Sequence, residues 1–425
     1  MNYVTQLPPG FYGLGIAPKL LQILDRHKYK IPTPIQRQSI PIAIEGKDMM
    51  GIAQTGTGKT LAFGIPLIQR LAGGRGMGLV IVPTRELALQ VNEMIQKLGR
   101  PIGLRTAVLI GGASMHYQLQ DLRKKPHVII ATPGRLIDHL ERKTVKLNAV
   151  SVLILDEADR MLDMGFEPQI KQILKNLPAE RQTMLFSATM PSRIVNIANT
   201  YMKLPVRVEI APTGTTAEKV AQEVFFVRKE DKIRLLQKIL QEHRGTVLVF
   251  SRTKHGAKRI AKTVRDMGHS AAEIHSNRTL SQRRDALEGF KTGKYRVLVA
   301  TDIAARGIDV TGIELVVNFD MPDDSEDYVH RIGRTGRAGM SGQAISFATP
   351  DQRRDVKDIE RLTRSMLPIS KLPELPAQLP HIRLAEDRPE RSRFQRAHKP
   401  FKHSGRREST KPRRPHGSFP RRRHG

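Results

Sequence analysis

The sequence predicts an α/β protein with two parallel sheets, and three observations carry this prediction. Short apolar runs alternate with helix-length amphipathic or polar segments, the order in which strands and crossover helices follow one another in parallel sheets. The runs fall into two sets along the chain. The length of 425 residues exceeds what one hydrophobic core usually serves. We therefore expect an N-terminal domain over residues 1–210 and a C-terminal domain over residues 218–368.

The apolar runs are the predicted strands. The first set comprises GLVIV (78–82), HVIIAT (127–132), VLIL (152–155) and TMLFSAT (183–189). The second set comprises TVLVF (246–250), RVLVAT (296–301), ELVVNF (314–319) and QAISFAT (343–349). Continuous apolar runs of this length suit strands that are buried on both faces.

Two polar segments set the predicted domain boundaries. The stretch APTGTTAEK is small and turn-rich, and we place a linker at residues 211–217. After residue 368 the proline-rich LPISKLPELPAQLP cannot hold a helix. Residues 388–425 carry fourteen Lys or Arg and two Glu, with almost no aliphatic side chains. The tail, residues 369–425, is therefore expected to be disordered.

Charge is the strongest signal in the composition. The chain has 71 Lys and Arg against 41 Asp and Glu, a net charge of +30. Such an excess predicts attraction to polyanions, nucleic acid first and anionic membrane second. The chain contains no apolar run long enough to span a bilayer, and its start lacks the apolar core of a signal peptide. Zero cysteines exclude disulfides and thiolate metal sites. We expect a cytoplasmic protein.

The stretch AQTGTGKT matches the phosphate-loop pattern, with alanine in the first glycine position. Its glycines let successive backbone N–H groups converge on an anion, Lys59 reaches terminal phosphates, and the Thr60 hydroxyl suits Mg²⁺. A glycine-rich turn before a chance lysine is the alternative, but MMGIA before the loop resembles a strand and LAFGIPLIQRL after it a helix. The predicted nucleotide site comprises Ala53, Gln54, Thr55, Gly56, Thr57, Gly58, Lys59 and Thr60.

A pair of carboxylates follows the strand VLIL. Because ligands bind at the carboxyl ends of parallel strands, Asp156 is expected beside the loop that carries Lys59. There Asp156 suits the magnesium that bridges the phosphates, and Glu157 suits the orientation and deprotonation of the attacking water. In isolation an Asp-Glu pair is more often a solvated turn, and the phosphate loop favours the catalytic interpretation.

With these motifs the sequence resembles the DEAD-box ATP-dependent RNA helicases over roughly residues 11–365. The name-giving DEAD is residues 156–159, and IPTPIQ, PTREL, TPGR, SAT, ATDIAARGID and HRIGRTGR follow the family order. The segments TDIAARGIDV and YVHRIGRTGRAG are most similar to those of the bacterial RhlE-like branch. The resemblance implies two RecA-like domains, Mg²⁺-dependent ATP hydrolysis stimulated by RNA, and closure of the domains on single-stranded RNA. Local separation of short duplexes or remodelling of RNA–protein complexes would follow.

The resemblance also assigns residues to the nucleotide. The Gln36 amide offers the donor and acceptor that adenine requires, Phe11 packs near the base, and Asp309 contacts the ribose. Arg334 and Arg337, three residues apart, are candidate arginine fingers, with a solvated helix face as the alternative. The implied coupling residues are Asp159, Ser187, Thr189 and His330, the last as a hydrogen-bonding bridge rather than a metal ligand.

The remaining family motifs imply contacts with RNA. Their exposed N–H groups, hydroxyls and guanidinium groups suit phosphates and ribose, so binding is expected to be largely independent of base sequence. The implied residues are Pro83, Thr84, Arg85, Gly111, Gly112, Thr132, Pro133, Gly134, Arg135, Arg252, Arg283, Thr301 and Gly307. The chain departs from the family at Leu280, where relatives often have the glutamine of Gln-x-x-Arg.

Two other functions stay open at this point. A DNA-directed motor would use the same phosphate loop, acidic strand end and arginine fingers. A non-enzymatic RNA-binding chaperone would need only the basic tail, whose Phe394, Phe401 and Phe419 offer stacking beside phosphate neutralisation. The tail is expected to tether RNA, the alternative being a solvated arm. Ribosomal or mRNA-decay assemblies stay open as partners, and no membrane partner is expected.

Overall fold

The computed structural model describes residues 10–54, 56–74, 76–210, 220–305, 310, 312–336, 342–363 and 365–377. All the described residues belong to one compact unit. Its described part contains two parallel sheets, each with seven described strands. We call the first sheet with its helices the first lobe (residues 10–210) and the second sheet with its helices the second lobe (residues 220–377). The predicted linker, residues 211–217, and the basic part of the tail lie outside the described residues.

The first lobe is a parallel sheet with helices on both faces. Its strands are β1 (Met49–Ile52), β2 (Met77–Ile81), β3 (Thr106–Leu109), β4 (Val128–Ala131), β5 (Val150–Leu155), β6 (Gln182–Ser187) and β7 (Val206–Glu209). Its helices are α1 (Pro18–Arg26), α2 (Pro34–Ile44), α3 (Lys59–Ala72), α4 (Arg85–Gly99), α5 (Met115–Arg123), α6 (Pro133–Glu141), α7 (Ala158–Asp163), α8 (Glu167–Lys175) and α9 (Ser192–Tyr201). The spatial order of the strands is β3–β4–β2–β5–β6–β1–β7. The four predicted runs form β2, β4, β5 and β6, and α3 continues through Pro66.

The apolar runs are continuous because both faces of the sheet are buried. Along β5, Val152 and Ile154 belong to one apolar cluster, with α2, α3 and α4. Leu153 and Leu155 belong to a second cluster on the other face, with α6, α7 and α8. This alternation follows from the two-residue period of a strand. Two apolar layers therefore hold the strands of the first lobe in a fixed register.

The second lobe repeats this architecture. Its strands are β8 (Val220–Phe226), β9 (Val247–Phe250), β10 (Ala271–Ile274), β11 (Val297–Ala300), β12 (Leu315–Asn318), β13 (Gly342–Ala348) and β14 (Ile369–Ser370). Its helices are α10 (Lys232–Glu242), α11 (Lys254–Asp266), α12 (Leu280–Lys291), α13 (Asp302–Ala305), α14 (Ser325–Ile332) and α15 (Arg353–Thr363). The spatial order is β10–β11–β9–β12–β13–β8–β14. The second set of predicted runs forms β9, β11, β12 and β13.

Residues 369–377 contact the second lobe, with residues 369 and 370 as a strand of its sheet, although the sequence assigned them to the tail. Strand β14 pairs in parallel with β8, with Ile369 opposite Val224. The Ser370 hydroxyl donates to Glu223 Oε2 at 2.8 Å, and Arg234 Nε donates to the Pro376 carbonyl at 2.7 Å. The described residues of the proline-rich stretch, 367–377, contain no helix. Proline-rich backbone can still join the edge of a sheet, where its missing N–H groups face away from the ladder.

The described residues contain no helix that is long and apolar enough to cross a membrane.

Candidate functional site

The order of the strands divides the carboxyl edge of the first sheet into two halves. In a parallel sheet the loops that follow the strands meet at this edge, where ligands bind. Strands β5, β6 and β1 are neighbours, and the loops after them carry the predicted nucleotide and coupling residues. Strands β3, β4 and β2 are also neighbours, and the loops after them carry the predicted RNA contacts. We call these halves the nucleotide side and the RNA side.

The phosphate loop connects β1 to α3. Gly56 and Gly58 have φ of +87° and +86°, a left-handed conformation that favours glycine. The buried Lys59 ammonium lies within the loop and donates to the Ala53 carbonyl at 2.8 Å. The Thr57 hydroxyl donates to the Gln54 carbonyl at 2.7 Å, and Thr60 lies in the first turn of α3. Thr55 lies outside the described residues. The loop thus has the backbone shape of an anion cradle at a helix N-terminus.

Gln36 ties the start of α2 to the phosphate loop. Its Nε2 donates to the Gly58 carbonyl at 3.0 Å, and its Oε1 accepts from the Thr33 N–H at 3.0 Å. A Cβ at position 58 would collide with this amide, a second reason for glycine there. One amide N–H and one oxygen lone pair of Gln36 remain for a base. Phe11 is buried in the apolar cluster that covers α2 and α3.

The surroundings of Asp156 disfavour the ionised form of its carboxyl group. Its side chain is 2% exposed, and burial raises the pKa of its carboxyl to about 7, with the charges of Glu157 and Asp159 adding to the shift and Lys59 opposing it. A bound cation would relieve this cost. Mg²⁺ prefers oxygen ligands and is commonly held by one or two carboxylates plus substrate phosphates.

The oxygen donors of Asp156 and Thr60 therefore fit Mg²⁺ held mainly by a nucleotide. In the described part of the chain no cluster of three or more His, Cys, Asp or Glu could hold a metal by itself.

Glu157 is the N-cap residue of α7, and its backbone has a strained conformation. Its φ of 52° and ψ of 51° are left-handed, which is uncommon for a residue with a side chain and concentrates at functional sites. Its Oε2 accepts from Arg160 Nη1 at 3.1 Å, and both side chains are buried. Arg160 Nε and Nη2 have no hydrogen-bond partner among the described residues. Arg160 was not among the predicted site residues, although its i,i+3 spacing from Glu157 was a signal for the pair.

Asp159 joins the DEAD turn to the SAT segment. Its Oδ2 accepts from the N–H groups of Ala188 and Thr189, each at 2.9 Å, and from the Thr189 hydroxyl at 3.2 Å. The Ser187 hydroxyl accepts from the Asp159 N–H at 3.3 Å. Burial opposes ionisation, but the Lys59 charge and the N–H groups of Thr189 and Arg160 outweigh it and lower the pKa of Asp159. The three predicted coupling residues of the first lobe are thus brought together.

His330 and Arg334 of the second lobe lie beside this cluster. They share a cavity with a first-lobe side chain, and its lining residues are Arg160, Phe250, Asp302, Asp327, His330, Arg331 and Arg334. Burial, reinforced by the Arg160 charge and opposed by Asp159, lowers the pKa of His330 to about 3. Arg334 is buried, and its Nε donates to the His330 carbonyl at 3.3 Å.

Arg331 is a residue of α14 that connects this helix to Asp302, and it was not among the predicted site residues. Its Nε and Nη2 donate to the two carboxylate oxygens of Asp302 at 2.6 and 2.7 Å. Its guanidinium carbon lies 5.0 Å from the centre of the Phe250 ring. A bidentate pair of this kind orients the helix that carries His330 and the turn after it that carries Arg334. Three predicted residues of this lobe, Gly307, Asp309 and Arg337, lie outside the described residues.

The RNA side of the first lobe connects its three predicted loops. Thr84 caps α4 by accepting from the Leu87 N–H at 3.3 Å. The Arg85 guanidinium covers the Gly111–Gly112 pair, where a Cβ on the second glycine would collide with it. Arg135 Nη1 donates to the Ala113 carbonyl at 3.0 Å. Of the other predicted contacts, Pro83, Thr132 and Pro133 are buried and Gly134 is exposed.

The predicted contacts in the second lobe have different surroundings. Arg252 is about half exposed, with Nη2 donating to the Met321 carbonyl at 3.2 Å and Nε 3.3 Å from Asp323 Oδ1. Thr301 follows β11 and is partly buried. Arg283, in contrast, is buried against the first lobe, with Nη2 2.9 Å from Oε2 of the buried Glu86. Its assignment to RNA stays a prediction, and its observed partner is a carboxylate that the sequence analysis missed.

Leu280 lies one helical turn before Arg283 and also contacts the first lobe. It is partly buried and packs against the apolar cluster around α3 and α4. The chain thus has an apolar side chain at the position where relatives often have glutamine, and that side chain lies between the lobes.

Two family models match the chain. One, described as DEAD/DEAH box helicase, matches residues 33–197. The other, described as helicase conserved C-terminal domain, matches residues 231–339. The two matches include the phosphate loop and the DEAD turn in the first lobe, and α14 with His330 in the second.

Relatives and solved structures match over both lobes. The chain is 45% identical over 343 residues to the ATP-dependent rRNA helicase RRP3 of Debaryomyces hansenii, covering 80% of this chain and 72% of that protein. It is 42% identical over 368 residues to the DEAD-box ATP-dependent RNA helicase CshA of Bacillus subtilis, covering 86% and 74%. The structure of Saccharomyces cerevisiae Dbp5 bound to RNA and ADP BeF3 matches with a TM-score of 0.76 and 28% identity, covering 85% of this chain and 96% of that chain.

Proposed function

The chain belongs to the family of DEAD-box ATP-dependent RNA helicases, and from this premise we propose how its two lobes carry out the reaction. It is an RNA-stimulated ATPase that converts ATP and water to ADP and phosphate. It separates short RNA duplexes, or remodels RNA–protein complexes, by ATP-driven closure of two RecA-like lobes on single-stranded RNA.

The first lobe holds the triphosphate. The left-handed glycines of the phosphate loop direct backbone N–H groups at the phosphates, and Lys59 exchanges its bond to the Ala53 carbonyl for the terminal phosphates. Gln36 reads the base with its remaining N–H and lone pair. Mg²⁺, held by Asp156 and Thr60, would neutralise charge that develops on the phosphoryl group. Glu157 orients and deprotonates the attacking water, and its salt bridge with Arg160 fixes the direction of the carboxylate.

One observation carries the proposal of closure: His330 and Arg334 of the second lobe share a cavity with Arg160 of the DEAD helix. Guanidinium groups at this place suit the stabilisation of charge on the γ-phosphate. We assign that role to Arg334 and Arg337. Asp159 links the nucleotide to Ser187 and Thr189, so a change at the phosphates reaches the segment after β6.

RNA would bind along the RNA side of the first lobe and the loops after β9 and β11 of the second. Because both ligands need the lobes together, each should raise the affinity of the other. The Dbp5 structure holds RNA and ADP BeF3 bound to that relative at the same time, which supports joint binding of the two ligands here.

The proposals for the branch of the family, the location and the partner assemblies rest on the amino-acid sequence alone. We propose the RhlE-like branch from TDIAARGIDV and YVHRIGRTGRAG. A cytoplasmic location is a further proposal, and a place in ribosomal or mRNA-decay assemblies is proposed from the basic tail. The tether role of the tail falls on residues outside the described ranges.

The test is steady-state ATP hydrolysis by the wild type and Glu157→Gln, each with and without single-stranded RNA. We expect RNA to stimulate the wild type, and the variant to lose about 10²–10⁴-fold in turnover because an amide cannot accept the proton. Glu180→Gln, an exposed glutamate on the same lobe, is the matched control and should keep full activity. Equal rates in all four main conditions would overturn the mechanism.

Two further measurements, ATP hydrolysis with DNA in place of RNA and an RNA-annealing assay, address the two rival functions. Stimulation by DNA as strong as that by RNA would identify a DNA-directed motor. RNA annealing that survives Glu157→Gln would establish a chaperone activity of the chain beside its ATPase.

A further inference from the structure

A buried polar pair lies directly beneath the RNA side of the first lobe. Gln118, on α5, is 4% exposed, and His139, on α6, is fully buried. Neither residue belongs to any motif in the sequence analysis. We call the two side chains and their hydrogen bonds the Gln118–His139 relay.

The hydrogen bonds of the relay have one consistent direction. Gln118 Nε2 donates to the Ile110 carbonyl at 3.0 Å, so the amide oxygen faces the other way. That oxygen lies 3.1 Å from His139 Nε2. Because an amide oxygen can only accept, Nε2 must carry the hydrogen. The other ring nitrogen, Nδ1, lies 2.8 Å from the Thr144 hydroxyl, whose single hydrogen is directed either to Nδ1 or to the His139 carbonyl at 3.0 Å. A neutral imidazole with its hydrogen on Nε2 therefore satisfies the contact with Gln118 and can accept from Thr144 at Nδ1.

The relay ends on the loop between β3 and α5. Ile110 and Ala113 bracket Gly111 and Gly112. Gln118 Nε2 also lies 3.5 Å from the Ala113 carbonyl, and Arg135 donates to the same carbonyl at 3.0 Å. The carbonyls on both sides of the glycine pair are thus held by side chains of α5 and α6. On its other face the pair packs against the Arg85 guanidinium.

The loop needs such support because its glycines cannot fix their own conformation. Gly112 has φ of +74°, and glycine loses more conformational freedom than any other residue when it is held in one shape. An apolar pair could fill the space between α5 and α6, but it would leave the Ile110 carbonyl without a donor. A fully satisfied buried network specifies one geometry more narrowly than apolar packing does.

We propose that Gln118 and His139 are positioning residues for RNA: they hold the Gly111–Gly112 loop at a fixed spacing from Arg85 and Arg135. The proposal rests on the proposed function, in which this loop contacts RNA. Gln118 presents the donors to the loop. His139 fixes the direction of the amide and links the loop to the helix that begins with the TPGR motif. Loss of either side chain lets the loop move and weakens RNA binding without touching the nucleotide side.

The test measures ATPase activity against RNA concentration for Gln118→Leu, His139→Leu and the wild type. We expect the RNA concentration for half-maximal stimulation to rise about tenfold in both variants, as for the loss of one buried hydrogen bond. Turnover without RNA and turnover at saturating RNA should stay within twofold of the wild type. Gln120→Leu is the matched control, since Gln120 is exposed on the same helix and contacts His116 rather than the loop.

Two conservative variants distinguish positioning from simple filling of space. His139→Gln keeps a donor for the Gln118 oxygen, and we expect it to restore RNA affinity to within twofold of the wild type. Gln118→Glu keeps the size of the side chain but not its donors, so it should weaken RNA binding as Gln118→Leu does. If either leucine variant does not fold, the RNA affinity of Gln118→Glu decides between positioning and filling of space.

The outcomes separate this proposal from the one it rests on. A wild type without RNA stimulation refutes the proposed function itself. A stimulated wild type with unchanged half-maximal RNA concentrations in folded Gln118 variants refutes the relay. Equal losses in His139→Gln and His139→Leu would also refute it, because packing volume rather than the hydrogen bond would then be responsible.

Discussion

The two lobes meet in two places, and the chemistry of these contacts differs. On the nucleotide side, His330 and Arg334 approach Asp159 and Arg160 around a shared cavity. On the RNA side, Arg283 pairs with Glu86 at 2.9 Å and Leu280 packs against the first lobe. The first contact is a cluster of several buried titratable groups, and the second is one ion pair beside an apolar side chain.

The difference lies in what each contact still lacks. On the nucleotide side two guanidinium nitrogens of Arg160 have no hydrogen-bond partner in the described part of the chain, and Asp156 has a raised pKa. A triphosphate with its cation would pair with such groups. On the RNA side the charges of Arg283 and Glu86 face each other, although Arg283 Nε and both Glu86 carboxylate oxygens also have no hydrogen-bond partner among the described residues. We infer that nucleotide with its cation completes the first contact, whereas the charges of the second contact are balanced within the protein.

The largest effect is expected from removing one charge of the RNA-side ion pair. Glu86→Ala leaves Arg283 buried and unpaired when the lobes close, and breaking a buried pair costs about 3–5 kcal/mol. The open form avoids this cost because the arginine can be solvated there. RNA affinity with a non-hydrolysable ATP analogue bound should therefore fall at least a hundredfold, while thermal stability of the protein changes little. Fluorescence anisotropy of labelled RNA measures the affinity.

A double-mutant cycle provides the control for this prediction. Glu86→Ala with Arg283→Ala removes both charges, so the double variant should lose much less affinity than the two single losses combined. Strict additivity would mean that the pair contributes nothing to closure. Arg361→Ala, which breaks an exposed pair with Asp358 on α15, should leave RNA affinity unchanged.

The nucleotide-side contact should instead respond to pH. The pKa of His330 is about 3 in the closed arrangement and about 6.5 in a solvated histidine. Between these values the solvated form binds a proton that the buried form does not, so the stabilisation of the closed contact is present above pH 6.5 and is lost as pH falls. RNA affinity in the presence of the ATP analogue should fall by up to tenfold for each pH unit below 6.5.

His330→Gln isolates this titration from others in the site. Asp156, with a pKa of about 7, also binds a proton as pH falls, and its protonation weakens the binding of Mg²⁺ with nucleotide. Asp156 titrates in both proteins, so the difference between their pH profiles between pH 5.5 and 8 reports His330. Parallel profiles would show that His330 is not buried at the contact in solution.

The sequence predicted the structural features that lie within single motifs. The buried strands were evident because both faces of each sheet are covered, and the phosphate loop and DEAD turn because their chemistry demands particular residues in a row. Strand β8 was missed because it includes polar residues such as Gln222 and Glu223, and β14 because prolines flank it. Local sequence does not encode which side chain meets which across a fold.

Residues whose partners lie far away in the sequence were missed for the same reason. Glu86 lies inside PTREL, but nothing nearby in the sequence indicates that its partner is Arg283 in the other lobe. Gln118 and His139 are ordinary residues of two helices until the sheet brings those helices together. Arg160 was the exception, since its spacing from Glu157 on one helix was visible in the sequence.

The smallest effect is expected from Leu280→Gln, which gives the chain the residue that relatives often have. Leu280 is partly buried against the first lobe, and burial of apolar surface contributes about 25 cal/mol per Å². For a partly buried side chain this amounts to roughly 0.5–1 kcal/mol, so RNA affinity with the ATP analogue should fall about two- to fivefold. Because glutamine cannot replace apolar packing, the loss should not depend on pH, unlike that at His330. Ser281→Gln, at the adjacent exposed position, should have no effect. If Leu280→Gln instead tightens RNA binding, the glutamine of the relatives makes a polar contact that leucine forfeits, and the RNA-side contact of this chain is weakened rather than strengthened by its departure from the family.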